Sequence, residues 1–247
     1  LESDAFGYSE IQEIVIPDKL TEISSSAFIG CRSLTTVTLG ADWIARDGVF
    51  YCVDEDGDEY GTKDGYFYLD DNYVITIDLN GHKIDRNLKS PTEYGVVFWL
   101  YDYDARLTIK DSIGGGKITG ANNMGNGGAF FVERGSLYIE GGEISGNKAS
   151  TGAGIFAGSR NNLCVYGGKI TGNEAYYYGG GIYHNTTENL IMVDCEITGN
   201  ECSVDDGGGV YVKQAADVYI GGTTRIINNK DYHLNPAFTA DNLHLCE

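Results

Sequence analysis

The stretch Leu137-Tyr-Ile-Glu-Gly-Gly-Glu-Ile-Ser-Gly-Asn147 returns as Leu163-Cys-Val-Tyr-Gly-Gly-Lys-Ile-Thr-Gly-Asn173, and again as Leu190-Ile-Met-Val-Asp-Cys-Glu-Ile-Thr-Gly-Asn200. A second phrase recurs between the copies: Gly152-Ala-Gly-Ile-Phe156, Gly179-Gly-Gly-Ile-Tyr183 and Gly207-Gly-Gly-Val-Tyr211. Copies begin at 137, 163, 190 and 218, so successive periods are 26, 27 and 28 residues. A near-constant period of this size means stacked supersecondary units, none of which buries its apolar face alone.

Within one period, Leu-x-Ile/Val alternates as a half-buried strand does. A Gly-rich corner, a short Ile-Thr/Ser strand, a Gly-Asn corner, a variable loop and a Gly-Ile/Val-Tyr/Phe strand follow. No window sustains a period of 3.6, and glycines interrupt every helical candidate. The fold class is therefore all-β: a parallel β-helix of three strands per coil and about six coils, roughly 30 Å long at about 4.8 Å per coil. It is expected to span 75–247, with Ile77–Asn87 aligned without gaps onto Leu137–Asn147. Equivalent residues then form columns. Asn87, Asn147, Asn173, Asn200 and Asn229 share one, with Ala121 in register as the exception. Stacked Asn amides can hydrogen-bond from coil to coil.

Residues 1–46 carry a different repeat, in which Ile11, Ile14 and Ile16 recur as Leu34, Val37 and Leu39. Short strands are expected at Ile14–Ile16 and Val37–Leu39. The phrases Ile16-Pro-Asp-Lys-Leu-Thr-Glu-Ile-Ser and Ala27-Phe-Ile-Gly-Cys-Arg-Ser-Leu-Thr-Thr-Val resemble the BspA-like leucine-rich repeat family, over less than two full repeats. That resemblance implies a buried structural thiol at Cys31. Fewer than about three repeats rarely stand alone, so the module is expected to dock on the next one or to continue upstream. Residues 47–74 read as a connector or a hairpin cap, with Val49–Val53 and Tyr66–Leu69 as its strands. The Leu107–Val212 stretch, with Gly-Gly-x-Ile-Thr/Ser-Gly-Asn and Gly-Gly-Gly-Ile/Val-Tyr, resembles right-handed parallel β-helices of adhesin-like bacterial surface proteins. Such repeats serve many functions, so this implies fold more than activity.

The net charge of −19, with 17 Lys and Arg scattered singly, argues against nucleic acid, which needs basic clusters. No apolar run approaches a membrane span. The six cysteines contain no CxxC pair. They read as isolated thiols, or as including one disulfide, either Cys195 to Cys202 or one involving Cys52. The chain starts at Leu1 without an initiator Met or a leader, which reads as a processed or excised piece of a longer surface protein.

Three places could carry function. Asp54, Asp56 and Asp58 offer several carboxylates within one turn, as Ca²⁺ requires. Gly57 departs from the EF-hand pattern, and a solvated turn is the other reading. An outward catalytic carboxylate pair would use Asp78 and Glu140, two coils and roughly 10 Å apart, too far for a retaining pair. The four histidines form no repeated pair. Aromatics are more suggestive. Phe98, Phe131, Phe156, Tyr183 and Tyr211 are expected in one column, near Tyr176, Tyr177 and Tyr178 and near Tyr101 and Tyr103. They read either as a stacking ladder supporting the coil or as a surface for sugar rings or a protein partner.

The expected function is a non-catalytic, extracellular or cell-surface adhesin-like protein whose stiff rod presents loops to a host protein or glycan, with no cofactor beyond that Ca²⁺. The location follows from the two family resemblances. The alternative is a polysaccharide-active lyase or glycoside hydrolase of the β-helix type.

Overall fold

In the computed structural model, residues 10–17, 33–45, 51–53, 59–61, 65–69, 74–231 and 243–245 are described, the hairpin and 243–245 as backbone strands alone. The chain is an all-β parallel solenoid of about six coils, and no helix occurs among the described residues. Sheet 1 stacks Glu13–Val15, Thr36–Thr38, Val74–Asp78, Arg106–Lys110, Gly135–Ile139, Asn161–Val165, Leu190–Val193 and Val218–Gly221. Sheet 2 stacks Trp43–Ile44, Lys83–Asp85, Lys117–Thr119, Glu143–Ser145, Lys169–Thr171, Glu196–Thr198 and Arg225–Ile227. Sheet 3 stacks Phe67–Leu69, Phe98–Leu100, Phe130–Val132, Ile155–Ala157, Ile182–Asn185, Val210–Gln214 and Leu243–Leu245. A fourth, three-stranded sheet adds Lys148–Ala149, Glu174–Ala175 and Glu201–Cys202. Those strands follow the Gly-Asn corner, where the residues had read as loop; two residues are too few for alternation to show.

Stacking in register makes the core. Leu107, Leu137, Leu163 and Leu190 pair directly in sheet 1, and Ile84, Ile118, Ile144, Ile170 and Ile197 in sheet 2. All are essentially fully buried. Sheet 3 contributes Phe67, Phe98 and Phe130, their rings 5.1 and 5.3 Å apart, then Ile155, Ile182 and Val210. Each Leu or Ile so buried is worth about 1.5–3 kcal/mol.

The leucine-rich strands continue this stack. Ile14 pairs with Val37 and Val37 with Ile77, so sheet 1 runs unbroken from Glu13 to Gly221. The strands begin one residue earlier than expected, at Glu13 and Thr36. The stretch read as connector or cap is differently built. Tyr51–Val53 pairs antiparallel with Glu59–Gly61, whereas Phe67–Leu69, expected in that hairpin, joins sheet 3. Trp43, buried against Phe67, enters sheet 2. The apolar side chains of these short strands fill the coil below Ile84 and Phe98, which outweighs the local hairpin signal.

The first β-helix coil is also displaced from the gapless alignment. Ile75, not Ile77, pairs with Leu107, so the corner before Ile84 is two residues longer. A shift of two preserves which face each side chain takes, and the pattern could not reveal it.

At the Gly-Asn corner, Asn147 Nδ2 donates to Asn173 Oδ1 (3.0 Å), Asn173 to Asn200 (2.9 Å) and Asn200 to Asn229 (2.9 Å). Each Oδ1 also accepts the backbone N–H of the Asn below, and Asn147 Oδ1 accepts that of Ala121. Each Nδ2 also reaches a carbonyl one coil back, at Ile118, Ile144, Ile170 and Ile197. Asn147, Asn173 and Asn200 are wholly buried. Asn87 departs from this column. It adopts φ of 52° itself and donates to Ala45 O, whereas Gly146, Gly172, Gly199 and Asn228 hold the left-handed position just before the ladder Asn.

Asn173→Ala would orphan Asn147 N–H and the Ile144 carbonyl, each costing about 1–3 kcal/mol when buried. We expect it to lower unfolding stability by about 3 kcal/mol, read from urea denaturation, and a loss under about 0.5 kcal/mol would remove the ladder's structural role. Gly172 has φ of 61° and no atom near a built Cβ. Gly172→Asn, copying Asn228, should therefore be nearly neutral, and Gly172→Ala should cost about 1 kcal/mol.

One buried imidazole interrupts the core. His184 pairs with Ala157 and Val212 in an inward column, is 0% exposed, and its Nδ1–H donates to the Gln214 carbonyl (2.9 Å). Burial pushes its pKa below the ordinary 6.5, against the opposing pull of its backbone carbonyl contacts. The unfolded chain then takes up a proton that the folded one refuses, so stability falls as pH drops below about 6.5. Asp78 and Glu143, whose pKa values are lowered, withdraw their support only further down, as pH falls past about 3.8 and 4.5. His184→Val should flatten the urea midpoint between pH 7.5 and 5.5; an unchanged slope would exclude His184 as its source.

Candidate functional site

Alternation that buries Ile155, Ile182 and Val210 turns their neighbours outward. The outward column of sheet 3 is Tyr68, Trp99, Phe131, Phe156, Tyr183 and Tyr211, paired strand by strand. Phe98, expected in this column, points instead into the core between Phe67 and Phe130, and Trp99 takes its place. The Phe-Trp pair gives no hydrophobic contrast, and one residue of register reverses the face.

The rings touch along the whole column. Tyr68 and Trp99 centroids are 5.7 Å apart, Trp99 and Phe131 5.1 Å, Phe131 and Phe156 5.4 Å, Phe156 and Tyr183 5.0 Å, and Tyr183 and Tyr211 5.5 Å. Five coil steps make a stripe about 24 Å long. Each contact adds about 0.5–1.5 kcal/mol beyond area burial, so the column supports the coil whatever else it does.

Its two ends differ in access. Phe156, Tyr183 and Tyr211 are only 9, 7 and 9% exposed, and Tyr178 leans over Tyr211 (4.6 Å) and Tyr183 (6.2 Å). Tyr176 and Tyr177, on the same loop, are 55 and 42% exposed and lie edge to face at 4.7 Å. At the other end Tyr68 is 43% exposed, Tyr94 44%, Tyr101 38% and Tyr103 51%. Trp99 sits among them, stacked on Tyr94 (5.7 Å, 15°) and within 5.4 Å of Tyr66 and 6.3 Å of Tyr101. Arg134 lies over Tyr101 (5.0 Å) and Tyr103 (4.8 Å).

The expected site residues therefore divide. Tyr176, Tyr177, Tyr178, Tyr183 and Tyr211 gather at one end, with Tyr183 and Tyr211 mostly covered, and Tyr101 and Tyr103 stand at the other. Tyr66, Tyr68, Tyr94, Trp99 and Arg134 escaped sequence reasoning. Tyr66 and Tyr68 were assigned to the hairpin, and their outward places follow only from the pairing of Phe67–Leu69 with Phe98–Leu100. Exposed π faces with Tyr hydroxyls and a stacked guanidinium can hold a sugar ring or anchor a protein.

The other candidates resolve differently. Asp78, Lys110 and Glu140 fall in one column, the carboxylates still two coils apart. Asp78 is 5% exposed; its Oδ1 accepts the backbone N–H of Asn80 and Ser112 (both 3.0 Å), and its Oδ2 lies 3.6 Å from Lys110 Nζ. Burial would raise its pKa, but these partners outweigh it and leave it lowered, as suits a corner cap. Cys164 and Cys195 are buried free thiols, so Cys195 and Cys202 are not bridged; burial raises Cys164 and Cys195. Cys195 lies in the main core and Cys202 in a separate cluster with Ala149, Ala153 and Ala175. Asp54, Asp56 and Asp58, with Cys31 and Cys52, lie outside the residues whose side chains are described. Among the described residues no group of three or more His, Cys, Asp or Glu could hold a metal, and no helix is long and apolar enough to cross a membrane.

Comparison with known proteins reaches only the first part of the chain. No curated protein and no solved structure matches it. Residues 1–52, about a fifth of the 247, match the six-copy family model of the BspA type leucine rich repeat region.

Proposed function

We propose that the chain is a non-catalytic, adhesin-like binding module of a secreted or cell-surface protein, which displays a rigid β-solenoid to a host protein or glycan. In this reading the solenoid is a right-handed β-helix with three principal strands per coil, coaxial with the leucine-rich strands. The match to the BspA type repeat supports a surface location. The observation that carries the reading is the aromatic stripe: it ends in exposed Tyr94, Tyr101, Tyr103, Tyr176 and Tyr177, fixed on a backbone that every coil reinforces. Preorganised rings lose little conformational freedom on contact, which favours them as anchors.

Immobilised host-matrix proteins and a glycan array test this directly. Tyr101→Ala with Tyr103→Ala, or Tyr176→Ala with Tyr177→Ala, should weaken capture about tenfold or more, as loss of an aromatic anchor does, while leaving the melting temperature near wild type. Unchanged binding in both double variants would overturn the stripe as the contact surface. Release of new reducing or unsaturated ends from a polysaccharide would replace the module with an enzyme.

A further inference from the structure

The exposed end of the stripe holds cations that its surroundings leave unneutralised. The chain carries 36 Asp and Glu against 17 Lys and Arg, and five solenoid lysines, at 83, 110, 117, 148 and 169, are matched to carboxylates. Arg134 is not. Its guanidinium rests on Tyr101 and Tyr103, and among the described residues no carboxylate lies within ion-pair distance. Arg160 follows one coil later at the same corner. The residues after the two arginines, Gly135 and Asn161, pair in register, so their backbones stand about 4.8 Å apart. Exposed Arg160 also has no carboxylate partner among the described residues.

The local acids do not fill this role. Asp102 Oδ1 caps the backbone N–H of Asp104 (3.0 Å), and neither Asp104 nor Glu133 pairs with Arg134. A guanidinium stacked on ring faces keeps its in-plane N–H donors open, in the fork that matches a carboxylate. Next to that fork stand the exposed rings of Tyr101 and Tyr103, with Tyr68 5.9 Å from Tyr101. Ring faces and an adjacent open fork are what a pyranose bearing a carboxylate requires.

We propose that Tyr101, Tyr103 and Arg134, with Arg160 beside them, form a subsite for a carboxylate-bearing sugar such as a uronic or sialic acid residue. The sugar ring packs on the tyrosines while the arginines take its carboxylate. This rests on the glycan branch of the binding reading above. A protein of net charge −19 repels dense polyanions at long range, so the preferred ligand carries isolated carboxylates and not runs of sulfate.

Calorimetric titration with matched probes tests it: a hyaluronan oligosaccharide against its carboxyl-reduced form, sialyllactose against lactose, and a heparin fragment as the dense polyanion. At least one carboxylate probe should bind about tenfold or more tighter than its neutral twin, and tighter than heparin, in line with a charge-assisted hydrogen bond. Arg134→Gln should erase that ratio, Arg134→Lys should keep part of it, and Arg160→Gln should reduce it by a smaller factor. Each variant is compared at a melting temperature equal to wild type. Equal binding of both twins, with loss on Tyr103→Ala, would overturn the acidic subsite yet leave the aromatic surface standing. A ratio unchanged in Arg134→Gln, or heparin binding tightest, would overturn it as well. Absence of glycan binding alongside retained capture by a matrix protein would remove the subsite and its glycan branch together.

Discussion

Register between coils is the constraint on which everything else rests, and the buried Asn amides enforce it. A parallel ladder alone tolerates slippage where neighbouring strands look alike, as these do. The amide at each Gly-Asn corner forbids it. Asn173 accepts from the Asn147 backbone and side chain, donates to Asn200, and satisfies the Ile144 carbonyl, all at zero exposure. A coil displaced by one residue would leave several of these groups unpaired in an apolar interior, at a cost of several kcal/mol. The left-handed residue just before each ladder Asn aims the amide along the stack, and Asn228 shows that the position needs the conformation and not glycine itself.

Once register is fixed, columns on the outside are as well defined as columns within. The outward column of sheet 2 reads Lys83, Lys117, Glu143, Lys169, Glu196 and Arg225, with Lys117 2.8 Å from Glu143 and Lys169 3.5 Å from Glu196. Such exposed pairs add little stability, but they engage both carboxylates of that column with lysines of the same face. Sheet 3 instead carries rings. Self-pairing charges offer a partner little, whereas Tyr68, Tyr94, Tyr101 and Tyr103 at one end of the stripe stay exposed. The contrast between two faces of one rod separates scaffold from candidate surface.

How far the residues foretold this depends on how many copies spoke. The Asn column from 147 to 229 and the Leu and Ile columns rest on repeated, nearly gapless phrases, and the structure reproduces their pairing. Errors gather where a coil is unique. Ile77 was matched to Leu137 because Ile84 and Ile144 each follow at an offset of seven, yet the longer corner at Asn80–Gly81 carries two extra residues. Trp99 was lost to Phe98 because both are apolar. The stretch 47–74 read as a connector or cap because its acidic hairpin breaks the period, and two short strands beside it, Trp43–Ile44 and Phe67–Leu69, each extend a different sheet. Arg134 could not have been found at all, since its stacking on Tyr101 and Tyr103 joins residues from two coils across a corner.

Continuity of sheet 1 from Glu13 to Gly221 also bears on how such a surface could work. A flexible junction between leucine-rich and β-helical parts would let bound segments reorient, and ordering it would cost free energy on each contact. Here Val37 pairs directly with Ile77, and Trp43 and Phe67 fill the coil between them, so the two repeat types share one hydrogen-bonded stack and one core. The exposed tyrosines at the two ends, Tyr101 and Tyr103 against Tyr176 and Tyr177, are thus held three coil steps apart, roughly 14 Å along the stack. Rings that each contribute modestly can then act together on one extended ligand, because engaging the first end places the second at high effective concentration only when the spacer between them is stiff and matched to the span.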